Sequence, residues 1–252
     1  MSLALALSQH PHVCALHESQ RGLIKLSFEK LAGEGVGLPE RRAEVVNFFR
    51  VMVPQPAGVQ MCGLVDQKLS AFIPELAEAW PGGKFVWLVR DGRGVVASGY
   101  ERGWYQPAER DRVDNAWARW RWRGDVVGDM TAEEWGELGA FGRNCWYWAW
   151  VNGMIRRELV ECVAAREMEF YMVRLEDLGV AVGYGSAAEP RYKELERLVE
   201  WLGLQPAPGM AMVRANAGPG RRRWETWSEE QRAVFGELCG EMMGELGYGL
   251  SG

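Results

Sequence analysis

The sequence predicts an α/β fold, an open parallel sheet flanked by helices, and three observations carry that expectation. Phe85-Val86-Trp87-Leu88-Val89 is an apolar run without alternation, the pattern of a strand covered on both faces in a parallel sheet. Phe170-Tyr171-Met172-Val173 is a second run of the same kind, lying beyond the longest helical stretch of the chain. Helical periodicity alternates with these runs, as strand–helix–strand units require. With 252 residues, 48% of them hydrophobic, the chain is long enough for one domain over residues 1–252 built on a continuous core.

Each element has its own signal. Leu3 to Gln9 place apolar side chains at helical spacing, and His10-Pro11 ends that run because a residue before proline is pushed out of the helical region. Arg21 to Leu31 is mixed in pattern, Gly33 to Pro39 is a glycine-rich loop, and Arg41 to Val53 reads as a helix or helix–strand segment. Lys68 to Trp80 is an amphipathic helix presenting Leu69, Phe72, Ile73 and Leu76, stopped by Pro81-Gly82-Gly83. The strand Phe85–Val89 then runs through Arg90-Asp91-Gly92 into a helix marked by Val95, Val96 and Tyr100. Residues 103–128 form a polar excursion rich in Arg and Trp. Thr131 with Glu134 makes a capping box, 141–164 is a long core helix, and 191–202 is another helix after a small-residue loop over 182–190. A proline- and glycine-rich loop spans 205–220. Ser228 with Gln231 caps a last amphipathic helix that Gly247 ends.

Composition narrows the function classes. A formal net charge of −5 and a pI near 5.5 lack the basic footprint of a nucleic-acid-binding protein. The apolar start of the chain has no basic leader and ends well short of the roughly 20 residues of a spanning helix, so a cytoplasmic protein without a membrane span is expected. The five cysteines are scattered and form no C-x-x-C pair, which predicts reduced, mostly buried thiols and no metal site. The thirteen tryptophans cluster at Trp117/Trp120/Trp122 and Trp146/Trp148/Trp150, and core packing is the expected role of most.

Ligands of open α/β sheets bind beyond the carboxyl ends of strands. Here that place is held by Arg90 and Asp91, with the Ser98 hydroxyl two helical turns further on. The Arg90 guanidinium fork suits an anion; taken by itself, an Arg-Asp at a sheet edge fits ion pairs with its neighbours better.

Leu88-Val89-Arg90-Asp91-Gly92-Arg93-Gly94-Val95-Val96-Ala97-Ser98 resembles the 3′-phosphate-binding segment of the sulfotransferases that use 3′-phosphoadenosine 5′-phosphosulfate, a family with a P-loop NTPase-like fold. The resemblance continues in the family's order. Gln9-His10-Pro11-His12-Val13 is similar to the end of the helix after the phosphosulfate loop, Asp66-Gln67-Lys68 to the segment leading to the strand, and Pro81-Gly82-Gly83-Lys84-Phe85 to the turn entering it. Val173-Arg174-Leu175-Glu176-Asp177-Leu178, Arg221-Arg222-Arg223-Trp224 and Leu246-Gly247-Tyr248 are similar to its C-terminal part. The family's first strand and its glycine- and serine-rich loop, which cradles the 5′-phosphosulfate, are expected before Leu3 and are absent from the sequence.

The resemblance implies roles. Arg90 and Ser98 would hold the 3′-phosphate of 3′-phosphoadenosine 5′-phosphosulfate, and Arg221, Arg222 or Arg223 would close over it; read alone, the arginine triplet also fits a solvated loop or a nuclear-targeting run. Sulfuryl transfer needs an aligned acceptor hydroxyl, a base for its proton and positive charge at the leaving oxygen. Glu18 matches the base of the tyrosylprotein-type members, with His17 as the alternative, and Lys68 would add positive charge. The acceptor stays open among a sugar, a lipid alcohol, a phenol and a peptidyl tyrosine. The expected function is transfer of a sulfuryl group to an acceptor hydroxyl in a form truncated at the N-terminus, and the alternative is a non-catalytic module on the same scaffold that binds or interacts. A nucleotide kinase would carry Gly-x-x-x-x-Gly-Lys-Ser/Thr, which the sequence lacks.

Overall fold

The computed structural model describes residues 3–33, 39–53, 56–107, 116–166, 168–179, 192–212 and 223–249. Over these it is a mixed α/β structure in which short parallel sheets are flanked by helices. The expected loop over 182–190 and residues 213–220 of the C-terminal loop lie outside the described residues.

Helix α1 (Leu3–Leu7) buries Leu3, Ala4, Ala6 and Leu7. It ends before the His10-Pro11 turn, where the buried His10 ring accepts from the His12 amide at Nδ1 (3.1 Å) and contacts the Gln205 carbonyl through Nε2 (2.9 Å). An Nδ1 that accepts leaves Nε2 as the donor, so the contact with Gln205 is a hydrogen bond from a neutral imidazole. Strand β1 (Val13–His17) follows, then α2 (Leu23–Leu31), α3 (Pro39–Met52) and strand β2 (Met61–Val65), which pairs with β1 in parallel, Val13 opposite Met61 and His17 opposite Val65.

The segment expected as one helix from Lys68 to Trp80 is two. A 3-10 turn over Gln67–Phe72, capped by the Asp66 carboxylate accepting from the Lys68 amide, gives way to α4 (Ile73–Ala79). Pro74 explains the break: without an N–H it fits only the first turn of a new α-helix. Strand β3 (Lys84–Val89) leads into α5 (Gly92–Glu101). Beyond it come α6 (Ala116–Arg119), α7 (Ala132–Glu137), the long α8 (Gly139–Arg166) and β4 (Glu169–Arg174), which pairs in parallel with β3 from Lys84 opposite Glu169 to Val89 opposite Arg174. Helices α9 (Leu175–Leu178) and α10 (Lys193–Trp201), a 3-10 turn (Arg223–Thr226) and α11 (Glu229–Glu245) complete the order. Both expected capping boxes form, Thr131 with Glu134 and Ser228 with Gln231.

Among the described residues the strands make two ladders, β1–β2 and β3–β4, rather than one sheet. A single apolar layer touches both. Leu3, Ala6 and Leu7 of α1 and Leu195, Leu198 and Val199 of α10 form its centre, and Ala15 and Val65 of the first ladder pack on it alongside Val86 and Leu88 of the second. The other face of β3 turns Trp87 and Val89 into a separate core with α5, α8 and α11. Strand β3 is therefore covered on both faces, as its unalternated composition requires. Strand β4 is not, since Phe170 and Met172 stay exposed. Trp122 and Trp146 are buried in a third core with Phe49 and Phe72, and Trp148 in the β3 core, in keeping with a packing role for most of the tryptophans.

Candidate functional site

The strand-to-helix turn after β3 is built by three side chains. Val89 is buried and Arg90 exposed, so the chain leaves the core within one residue. Asp91 caps α5 by accepting from the Arg93 amide (2.9 Å) and takes the Arg93 guanidinium in a fork, Nε to Oδ1 at 3.1 Å and Nη2 to Oδ2 at 2.7 Å. That bond raises the Arg93 pKa further. From α8, the Trp148 indole donates to the Arg90 carbonyl (3.1 Å) while its ring lies against Gly92, where an added Cβ would stand 2.9 Å from ring carbons.

The end of β4 and the C-terminal segment are tied to the same turn. Glu176 accepts from the Asp91 amide (3.1 Å) and from the Tyr248 hydroxyl (2.8 Å). Arg174 pairs with Asp177 (2.7 Å) and donates to the Gly247 carbonyl (3.0 Å). Burial first, then the Glu176 carboxylate, pushes the Tyr248 phenol well above its ordinary value.

The neighbouring charges are thus paired with one another, and Asp91 is used by Arg93 instead of Arg90. Among the described residues the Arg90 guanidinium makes no ion pair or hydrogen bond. It lies along the first turn of α5, where a Cβ on Gly94 would be 3.4 Å from its Nη2. Gly94 and Ser98 are one helical turn apart on one face, so the Arg90 fork and the partly buried Ser98 share a flank of α5. Of the arginine triplet, Arg221 and Arg222 lie outside the described residues. Arg223 opens the 3-10 turn whose Trp224 ring packs 4.5 Å from the Arg93 guanidinium, which brings the triplet's end beside α5.

The proposed base lies at the end of the other ladder. Glu18 follows β1 directly, its amide donating to the Val65 carbonyl (3.1 Å), and His17 Nδ1 contacts the same carbonyl at 3.2 Å. Both side chains are exposed. Glu18 has φ 43°, a left-handed backbone unusual for a residue with a Cβ; strain of this kind concentrates at functional sites.

Lys68 is placed differently from an open cation. It is buried, with Nζ 2.6 Å from Asp66 Oδ1 and 4.4 Å from the centre of the Trp117 ring. Its charge is met inside the fold by a carboxylate and an aromatic face.

Glu176, Trp148 and Gly94 shape the site without having been assigned to it from sequence. The Arg-x-Glu-Asp-Leu motif pointed at Glu176; nothing local marks an indole that reaches Arg90 across a helix packing. The described residues border two hollows. One of about 330 Å³ beside Arg174 is bordered by Asp177, Glu194 and Glu245, an acidic lining that disfavours a phosphate. The other is lined by Lys68, Arg121, Trp117, Trp120 and Tyr147. Among the described residues no cluster of His, Cys, Asp or Glu suits a metal ion, and no helix is long and apolar enough to cross a membrane. No protein-family model and no curated protein matches the chain.

Proposed function

We propose that this chain is a sulfotransferase-type domain that binds 3′-phosphoadenosine 5′-phosphosulfate through the β3–α5 turn and passes its sulfuryl group to an acceptor hydroxyl. One observation carries the reading. At the carboxyl end of a strand covered on both faces, the Arg90 guanidinium lacks an internal partner among the described residues while Asp91, Arg93, Arg174 and Asp177 around it are paired, and it shares a flank of α5 with Ser98. An unpaired guanidinium fork beside a hydroxyl is the donor set that a phosphate monoester dianion takes.

In this reading Arg90 and Ser98 hold the ribose 3′-phosphate, and residues of the Arg221–Arg223 triplet close over it. The acceptor oxygen attacks sulfur in line, the sulfur–oxygen bond to the 5′-phosphate breaks, and adenosine 3′,5′-bisphosphate departs with the negative charge. Glu18 takes the acceptor's proton, with His17 beside it as the alternative base. Lys68 acts at a distance, holding Asp66 and the end of β2. The family's pattern would add a further parallel strand and a glycine- and serine-rich loop whose amides face the 5′-phosphosulfate. A chain that lacks that loop would instead be a module that binds the bisphosphate without turning over.

Equilibrium binding of adenosine 3′,5′-bisphosphate and of AMP tests the reading. The bisphosphate is expected to bind tightly and AMP at least ten-fold more weakly, Arg90→Ala to erase the preference, and Ser98→Ala to weaken bisphosphate binding by roughly ten-fold or more, the scale of one hydrogen bond to a charged group. Equal affinity for the two nucleotides would refute the assignment.

A further inference from the structure

Cys14 and Cys62 stand directly opposite each other in the β1–β2 ladder. Paired parallel strands lie about 4.8 Å apart, inside the Cα separation of about 4.4–6.8 Å that a disulfide spans, and residues in register present their side chains to the same face of a ladder. That face is identified by its neighbours. Val13, Ala15, Met61 and Val65 pack into the apolar layer shared by both ladders, so Cys14 and Cys62, one residue out of step with them, occupy the opposite face. Both are partly exposed, whereas Cys145, Cys162 and Cys239 are buried. After burial, the nearness of the Cys14 thiol is what pushes the Cys62 thiol up.

We infer that Cys14 and Cys62 are a redox site that closes to a disulfide on exposure to a disulfide oxidant of the glutathione type and reopens on reduction. The thiolate of one cysteine attacks oxidised glutathione, forming a mixed disulfide and expelling a glutathione thiolate. The second cysteine attacks the protein sulfur of that mixed disulfide and expels the second glutathione thiolate. The protein loses two electrons, oxidised glutathione gains them, and the two thiol protons finish on the two reduced glutathiones. The bond fastens together the two strands whose ends carry Glu18 and Asp66, and closes the loop that contains α2 and α3. The site stands independently of the sulfotransferase reading.

The test treats the reduced, folded chain with excess oxidised glutathione and maps its peptides by mass spectrometry without reduction. The expected product joins the Cys14 and Cys62 peptides with the loss of two hydrogens, leaves Cys145, Cys162 and Cys239 as thiols, and disappears on adding dithiothreitol. In Cys14→Ser, Cys62 is expected to stop at the glutathione mixed disulfide. Glutathione adducts on both cysteines of the unsubstituted chain without a linked peptide, or no modification of either, would overturn the inference.

Discussion

Glu18 combines an exposed carboxylate with a left-handed backbone at the mouth of β1. For a residue with a Cβ that conformation costs about 1–2 kcal/mol, and glycine escapes it. Glu18→Gly is therefore expected to be about 1 kcal/mol more stable than Glu18→Ala in urea denaturation, even though both remove the proposed base. If the two variants unfold at the same urea concentration, the backbone of Glu18 stores no strain and its conformation does not mark a functional role. Arg90 makes the complementary point. What distinguishes it is that Asp91, the obvious partner in the sequence, is taken by Arg93 in a two-point fork. Which of two nearby arginines an aspartate selects depends on side-chain geometry after the turn has formed.

Among elements, α5 is placed on α8 by the absence of side chains. At Gly92 an added Cβ would meet the Trp148 ring at 2.9 Å, and at Gly99 it would clash with Asn144 Oδ1. Trp148 is buried and already committed to the Arg90 carbonyl, so it has little room to withdraw. Gly92→Ala is expected to destabilise the chain by roughly 1–3 kcal/mol, the usual range for overpacking. In addition, because the Trp148 contact sets the turn, it is expected to weaken bisphosphate binding by about ten-fold, measured at a temperature where the variant is still folded. Full affinity in a folded Gly92→Ala chain would show that Trp148 does not position Arg90. The strands illustrate a different limit. β3 was legible because Val, Trp and Phe crowd it. β1 and β2, reading Val-Cys-Ala-Leu-His and Met-Cys-Gly-Leu-Val, hold few β-branched or aromatic residues and so carry no comparable local signal.

At the scale of the whole molecule, several aromatic residues carry their polar ends into cores, which couples stability to pH. Tyr147 is buried, accepts from Gln67 Nε2, and is pushed up to about 12, chiefly by burial. The unfolded phenol titrates near 10. A folded value above the unfolded one means that stability is complete below about pH 10 and is lost as pH rises from about 10 to about 12. The contribution is of the order of 2–3 kcal/mol. Tyr147→Phe is expected to flatten the fall in urea stability between about pH 9 and pH 11, leaving a residual slope from Tyr171, which is also pushed up to about 12. An unchanged slope would mean that the Tyr147 phenol ionises as easily folded as unfolded. The sequence by itself determined the α/β character, the capped helices, the doubly covered β3 and the position of Arg90 at its end, because each rests on local pattern: hydrophobic period, cap chemistry, or the step from apolar run to charge. Only the tertiary structure decided that the described strands form two ladders on one shared layer, that Arg93 takes Asp91 and leaves Arg90 without a partner among the described residues, that Lys68 is buried against Asp66, and that Cys14 faces Cys62. Those are matters of which distant segments meet, and pairing between distant segments is set by the packing of the whole chain, on which no short stretch of sequence carries the information.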